Sequence, residues 1–391
     1  MHRLRCITCG KEYSPEAGRY LCDDCDSIHG TLEVIYPLDE MKIVKKFDSR
    51  KGIFQFGDLI PAKSHTVMDD YVGGTPLCRF VDKFGYKDIS IKYDGTGISA
   101  SYKDRASIIA INRAIEEGND CIFCASTGNA ASSLALLSAN TNLRTVIFVP
   151  STIPKGKLAQ LMVAGAEIFP VEASYDEVFD LSIEIGLSNA WYTRNSAVNP
   201  YLLEGKKTGA YEICIQYDYD PPDYVFVGVG DGTIISSLCK GFKEFYILGL
   251  IKKIPKVIGV QAQGASTLMK VFEGGKLIKE SVSTIADSIS VGNPRDVIKA
   301  CKYLSDNGGR IISVSDDEII AAISLMAAET GIFSEPAGAV TLSGLLKSDL
   351  PRKAKVCLLV TGNGLKDTSN IKVKSFRTFT IDEVYSYFGK E

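Results

Sequence analysis

From about residue 86 the chain alternates short runs of β-branched and other apolar residues with longer stretches whose apolar positions recur at helical spacing. Residues 89–92 read as a strand, and 104–117 carry Ile108, Ile111 and Ile115 on one helical face before Gly118, a C-terminal cap. A strand at 121–125, a helix through 130–139, a strand at 145–149, a helix over 157–164 closed by Gly165, and a strand at 167–171 follow. The alternation resumes with a strand at 224–227, a Gly-rich loop, a helix from 234 to about 245, and strands at 257–260 and 356–360. Strands joined by helices of this length imply right-handed parallel crossovers, so the expected class is α/β, with sheets covered on both faces. Two such blocks predict two α/β domains. Pro221 and Pro222 mark a turn, and no internal repeat is present.

Residues 1–34 break this pattern. They are polar, nearly free of periodic apolar positions, and hold four of the eleven cysteines. Such a segment buries no core of its own and needs a staple. Cys6-x-x-Cys9 and Cys22-x-x-Cys25 have the spacing of a four-cysteine zinc ribbon, whose two knuckles deliver four thiolates tetrahedrally; unligated cysteines in a flexible arm are the alternative. The ribbon is expected to be structural and apart from the chemistry. Cys121-x-x-Cys124 lies inside an expected buried strand, where neighbouring side chains face opposite ways, so it reads as core.

Composition narrows the function. With 44 Lys plus Arg against 47 Asp plus Glu, the net charge of −3 offers no broad cationic field for nucleic acid or anionic lipid. No apolar run approaches the roughly 18 residues that span a bilayer, and the N-terminus has a Cys-rich turn where a secretory core would stand, so a soluble, cytoplasmic protein with no membrane partner is expected. The three histidines, His2, His29 and His65, sit in no hydrolase-like motif. A small-molecule function is favoured.

Three local motifs can carry chemistry. In Ser101-Tyr102-Lys103-Asp104-Arg105 a lysine stands where a helix begins, and a positive charge there is disfavoured by the helix dipole. If buried, its amine suits covalent carbonyl chemistry; a solvated charge cluster opening an amphipathic helix is the commoner reading. Ser126-Thr127-Gly128-Asn129-Ala130 between strand and helix is either an anion-binding turn or an ordinary capped helix start. Gly228-Val229-Gly230-Asp231-Gly232-Thr233 is either a phosphate cradle or a tight turn. It lacks the P-loop Lys-Ser/Thr and the dinucleotide G-x-G-x-x-G spacing.

Together and in this order, these motifs resemble the fold type II pyridoxal-phosphate enzymes, and more closely the threonine synthases. Gly73-Gly74-Thr75-Pro76-Leu77, Asn195-Ser196 with Asn199-Pro200, Glu204-Gly205-Lys206-Lys207-Thr208, Ser334-Glu335-Pro336-Ala337 and Thr361-Gly362-Asn363-Gly364-Leu365-Lys366-Asp367 extend the resemblance from about residue 70 onward. It implies the tryptophan synthase β-like architecture, with two three-layer open-sheet domains. These are a large cofactor-binding domain from 35–100 and 200–391 and a small substrate-side domain from 101–199, behind a ribbon at 1–34. It implies a homodimer with pyridoxal 5'-phosphate as cofactor, alongside structural zinc. Lys103 becomes the cofactor-linked, proton-moving lysine. Gly228, Gly230, Asp231, Gly232 and Thr233 hold the cofactor phosphate, Asn129 the ring hydroxyl and Thr361 the ring nitrogen. Ser126, Thr127, Gly128, Asn129 and Asn199 receive the amino-acid substrate.

The implied reaction converts O-phosphohomoserine and water to L-threonine and phosphate. Replacement at Cβ of O-phosphoserine or another activated serine, as in cysteate synthase, and amino-acid deamination are the alternatives. A cofactor-binding regulatory protein is the reading from a different class, and Lys103 argues against it. Departures bear on the substrate. Gly97-Ile98-Ser99-Ala100 replaces the usual Asn-Pro-Thr-Gly, Asn363 stands where histidine is usual, and Leu202 stands where threonine synthases commonly carry an arginine near the substrate phosphate. Lys155, Lys206 and Lys207 are the candidates to replace that arginine.

Overall fold

The computed structural model describes residues 2–368 and 377–389. Among these residues the strands follow the chain as β1 (Arg3–Cys6), β2 (Glu12–Tyr13), β3 (Leu32–Ile35), β4 (Leu77–Lys83), β5 (Tyr86–Tyr93), β6 (Cys121–Ala125), β7 (Arg144–Pro150), β8 (Glu167–Val171), β9 (Tyr192–Thr193), β10 (Tyr224–Gly228), β11 (Lys256–Ala262), β12 (Arg310–Val314) and β13 (Lys355–Val360). They build a three-stranded sheet β2-β1-β3, a six-stranded sheet β12-β11-β10-β13-β5-β4 and a four-stranded sheet β8-β7-β6-β9. Both larger sheets are parallel except for β4, which pairs antiparallel with β5 at one edge. The edge strand carries the exposed, charged positions that blunt an edge, and its alternation is too weak to announce it.

The helices that matter for the site are α1 (Asp104–Glu116), α2 (Asn129–Ser138), α3 (Lys155–Met162), α4 (Tyr175–Ser188), α5 (Tyr201–Lys206), α6 (Thr208–Gln216) and α7 (Thr233–Ile247). The expected α/β alternation is present: the four-stranded sheet is built from strands between residues 121 and 193, and the six-stranded sheet from strands between 77 and 93 and between 224 and 360. The ribbon differs from the expected appendage: Leu4, Leu32, Val34 and Tyr36 belong to the same buried cluster as Tyr102, Leu202 and Phe242. Glu204 of α5 pairs with Lys240 of α7, and the Lys240 ammonium also donates to Val34 O at 2.5 Å. Tyr20 meets Tyr192 edge-on at 5.9 Å. A segment without a core of its own has been absorbed into the core of its neighbour.

The start of α1 is fixed by a buried ionic network. Arg105 donates Nε to Asp94 Oδ2 at 2.6 Å, and its terminal nitrogens reach both Glu212 oxygens at 2.6 and 2.8 Å. Lys92 reaches Glu212 Oε2 at 2.6 Å and Thr75 O at 2.6 Å. Gly74 N–H donates to Glu212 Oε1 at 3.0 Å, and Gly73 and Gly74 take φ of +95° and +61°. A Cβ at Gly73 would come within 2.7 Å of that carboxylate. The Gly-Gly-Thr-Pro motif is thus a backbone wrapping for Glu212.

Its two cations hold the Glu212 carboxyl down to about 2 despite burial. A carboxyl lowered in the folded state contributes stability above its unfolded pKa of about 4.3, and loses it as pH falls toward the folded value. Glu212→Gln should therefore destabilise the protein by about 3–5 kcal/mol at pH 7. Urea titrations across pH should find that deficit constant above about pH 4.5 and shrinking toward pH 2.

Candidate active site

Lys103 is the last residue before α1, two positions ahead of Arg105, so the ionic network sets where its side chain departs. Tyr102 N–H donates to Thr361 O at 2.8 Å, and Ser101 bridges Gly362, which seats the lysine turn against the end of β13. Among the described residues the Lys103 ammonium has no hydrogen-bond or ion-pair partner. Burial first, with Arg194 adding to it, lowers its pKa to about 8. It faces a cavity of about 510 Å³ between the two sheets.

The turn after β6 and the loop after β10 meet in that cavity. Lys103, Ser126, Thr127, Gly128 and Asn129 line one side, and Gly228, Gly230, Asp231, Gly232 and Thr233 line the other. The cradle reading of the glycine loop fits the packing. A Cβ at Gly228 would lie 2.4 Å from Ala337 O, one at Gly230 would lie 2.9 Å from Ile289 Cα, and Gly232 takes φ +97°. The helix α7 that follows has no side-chain cap, so its first N–H groups are free for an anion. Asp231 turns its carboxylate to Arg295 N–H at 2.7 Å, and burial pushes its pKa up to about 6.

Other expected site residues fall differently. Asn129 donates to Ser288 Oγ at 3.1 Å and Glu335 Oε2 at 2.9 Å, so it is held by a buried carboxyl whose own pKa burial raises. Thr361 is buried beside the lysine turn and is not part of the cavity lining. Asn199, expected at the substrate, spends both ends of its amide on the backbone. It donates to Thr193 O at 2.8 Å, accepts from Tyr201 N–H at 2.9 Å, and lies outside the lining.

The three lysines expected near a substrate phosphate also separate. Lys155 is exposed and outside the cavity lining, and Lys207 is buried between Glu204 and Glu244. Lys206 reaches Thr233 Oγ1 at 2.7 Å, behind the glycine loop. Burial, Lys103 and Arg194 push its pKa well below the ordinary value. Leu202 is buried in the core. Arg194, Glu335 and Lys157 are not among the site residues that the motifs predict. Lys157 lines the cavity while pairing with Asp287 at 2.6 Å.

The arrangement fits pyridoxal phosphate on three counts: a lysine amine with no internal partner, a glycine cradle where side chains collide, and an uncapped helix N-terminus backed by Lys206. In the ribbon, Cys6 Sγ and Cys25 Sγ lie 3.9 Å apart and Cys9 Sγ and Cys22 Sγ 3.6 Å apart, with all four within 4.8 Å. Zinc–sulfur bonds of about 2.3 Å in a tetrahedron put sulfurs about 3.8 Å apart. The cluster is shaped to hold a metal ion.

A phosphate bound at the start of α7 would favour the charged form of Lys206, whose Nζ already reaches Thr233 Oγ1 there. Lys206→Met should weaken pyridoxal phosphate binding about ten- to a hundredfold, given roughly 1.5–3 kcal/mol for a charge-assisted hydrogen bond. Equilibrium dialysis of the apoprotein measures it.

Comparison with known proteins agrees with this geometry. The family model described as pyridoxal-phosphate dependent enzyme matches residues 68–362. The threonine synthase of Methanocaldococcus jannaschii is 37% identical over 381 residues, 93% of this chain and 92% of that protein. That of Methanosarcina acetivorans is 35% identical over 384 residues, covering 95% and 94%. Among solved structures, serine racemase from Dictyostelium discoideum superimposes with a TM-score of 0.65 at 22% identity over 78% of this chain and 95% of that one. Threonine deaminase isoform 2 from Solanum lycopersicum gives 0.62 at 21% identity over 81% and 82%; these two likenesses speak to the fold. Since both synthases are more than a third identical over more than nine-tenths of this chain and of their own length, the chain belongs to the threonine synthase family of pyridoxal-phosphate-dependent enzymes.

Proposed function

We propose that this protein converts O-phosphohomoserine and water to L-threonine and phosphate, with Lys103 as the residue that carries the cofactor and moves protons. The observation that carries this reading is one cavity in which an unpartnered, low-pKa lysine faces a glycine-cradled helix N-terminus, in a chain of this family. Pyridoxal phosphate, when bound, supplies an electron sink that makes C–H and C–O bonds near the amino group breakable.

The chain's own residues do the rest. Gly228, Gly230, Gly232 and Thr233 with Lys206 hold the cofactor phosphate, and Asn129, whose amide Glu335 now takes, turns to the ring hydroxyl. Thr361, beside the lysine turn, is the nearest match for the ring nitrogen. The hydroxyls and N–H groups of Ser126 to Asn129 receive the substrate carboxylate at the start of α2. Lys103, with a pKa of about 8, exists partly as the neutral amine near neutral pH, so it can take a proton from substrate carbon and return it.

In the ribbon we propose structural zinc on Cys6, Cys9, Cys22 and Cys25, supported by sulfur spacing close to a tetrahedral edge. A reducing, cytoplasmic setting suits eleven cysteines that form no disulfide. Among the described residues no helix is long and apolar enough to cross a membrane.

The test is phosphate release from O-phosphohomoserine, O-phosphoserine and O-acetylserine, with the amino-acid product identified. Threonine and phosphate from the first substrate alone support the reading, and turnover only of phosphoserine retires it. Lys103→Ala should abolish turnover and the borohydride-reducible link to cofactor. Metal analysis should find one zinc per chain. Cys22→Ser should lose it and melt several degrees lower, because the ribbon shares the main core.

A further inference from the structure

Every cation of the cavity wall but two has a carboxylate partner. Lys157 has Asp287, and Arg295 has Asp176 and Asp180. Lys103 is accounted for by the cofactor. Arg194 is not accounted for. It follows β9, its N–H donating to Phe123 O at 2.8 Å, and its side chain is fully buried. Nε donates to Ser107 Oγ at 2.9 Å, one terminal nitrogen to Ser196 Oγ at 3.3 Å and the other to Lys103 O at 3.4 Å. All three acceptors are neutral, and among the described residues no carboxylate forms an ion pair with it. The same chain shows how a buried guanidinium is otherwise treated: Arg105 has Asp94 and Glu212 around it.

A buried charge left without a counter-charge costs several kcal/mol. A guanidinium has five donors in a planar fork that matches phosphate oxygens, and three bonds leave each terminal nitrogen a donor to spare. Lys103 and Ser196, which its terminal nitrogens touch, line the cavity with it. The second basic group, Lys206, stands elsewhere, on Thr233 of the cradle. Arg194 and Lys206 hold to different partners while Lys206 feels the charge of Arg194, and two cations so placed suit two anions, one on the cofactor and one on the substrate. Leu202, buried in the core, supplies no donor for the latter.

We propose that Arg194 binds the phosphate group of the substrate and so sets the enzyme's preference for a phosphorylated amino acid. This rests on the proposed reaction and assigns its anion-binding residue. In the loaded cavity the substrate phosphate takes the place of the missing counter-ion, and after cleavage the same guanidinium holds the departing inorganic phosphate.

The test uses cofactor-loaded protein, with the cradle filled. Wild type, Arg194→Lys and Arg194→Gln are compared in KM and kcat for O-phosphohomoserine, and in calorimetric affinity for inorganic phosphate and for L-threonine. Arg194→Gln should raise KM and the Kd for inorganic phosphate by at least about tenfold, with L-threonine affinity within about twofold of wild type. Arg194→Lys, which keeps charge and loses the fork, should lie between. Equal phosphate Kd in wild type and Arg194→Gln, at matched cofactor content and circular dichroism, would overturn the assignment. So would parallel losses for phosphate and threonine, the mark of a merely structural arginine. If Arg194→Gln does not fold, Arg194→Lys decides by the same two ratios. Wild type inert toward O-phosphohomoserine would remove the proposed reaction, and the phosphate Kd contrast would still decide for or against Arg194.

Discussion

The pairing of Arg105 with Asp94 and Glu212 is the constraint on which the site depends. It joins the end of β5, the first turn of α1, the middle of α6 and the Gly-Gly-Thr-Pro loop at one buried point. Replacing such a network by apolar side chains can leave stability unchanged or raise it, so its worth lies in position. Only one placement of α1 satisfies two carboxylates and a guanidinium at once. Lys103 leaves the backbone two residues from that point, and Thr361 is tied to the same turn from β13.

Much of this is legible along the chain because it is local. The strand expected at 167–171 is β8 to the residue, the helix expected over 104–117 is α1, and Gly118 and Gly165 take positive φ where the pattern places caps. The cysteines at 121 and 124 are buried in β6 as core. Helix α4 and the helix at Asp316–Thr330 are not among the expected elements, although each opens with a capping box, Ser174 with Glu177 and Ser315 with Glu318. Those boxes are signals that the sequence carries.

What is illegible is long-range. Arg194 looks like any arginine until the fold buries it with only neutral hydrogen-bond acceptors on its guanidinium. Lys206 and Lys207 are adjacent in sequence, yet one faces the cradle and its neighbour two glutamates. Asn199 sits in a motif that the resemblance assigns to substrate, and its amide is consumed in shaping the bend before α5. Motif spacing reports which backbone turns occur; which polar tips are left over depends on what the rest of the chain brings to them.

The concentration of positive charge around the cavity reaches beyond chemistry. Burial first, then Arg194, disfavours the charged form of Lys103, and burial, Lys103 and Arg194 together disfavour that of Lys206. Any anion that occupies the folded form and not the unfolded one adds RT ln(1 + [L]/Kd) to its stability. Chains whose cavity is filled would therefore open less often than empty ones. The groups that would grip an anion are thus the same ones whose burial costs most when no anion is there.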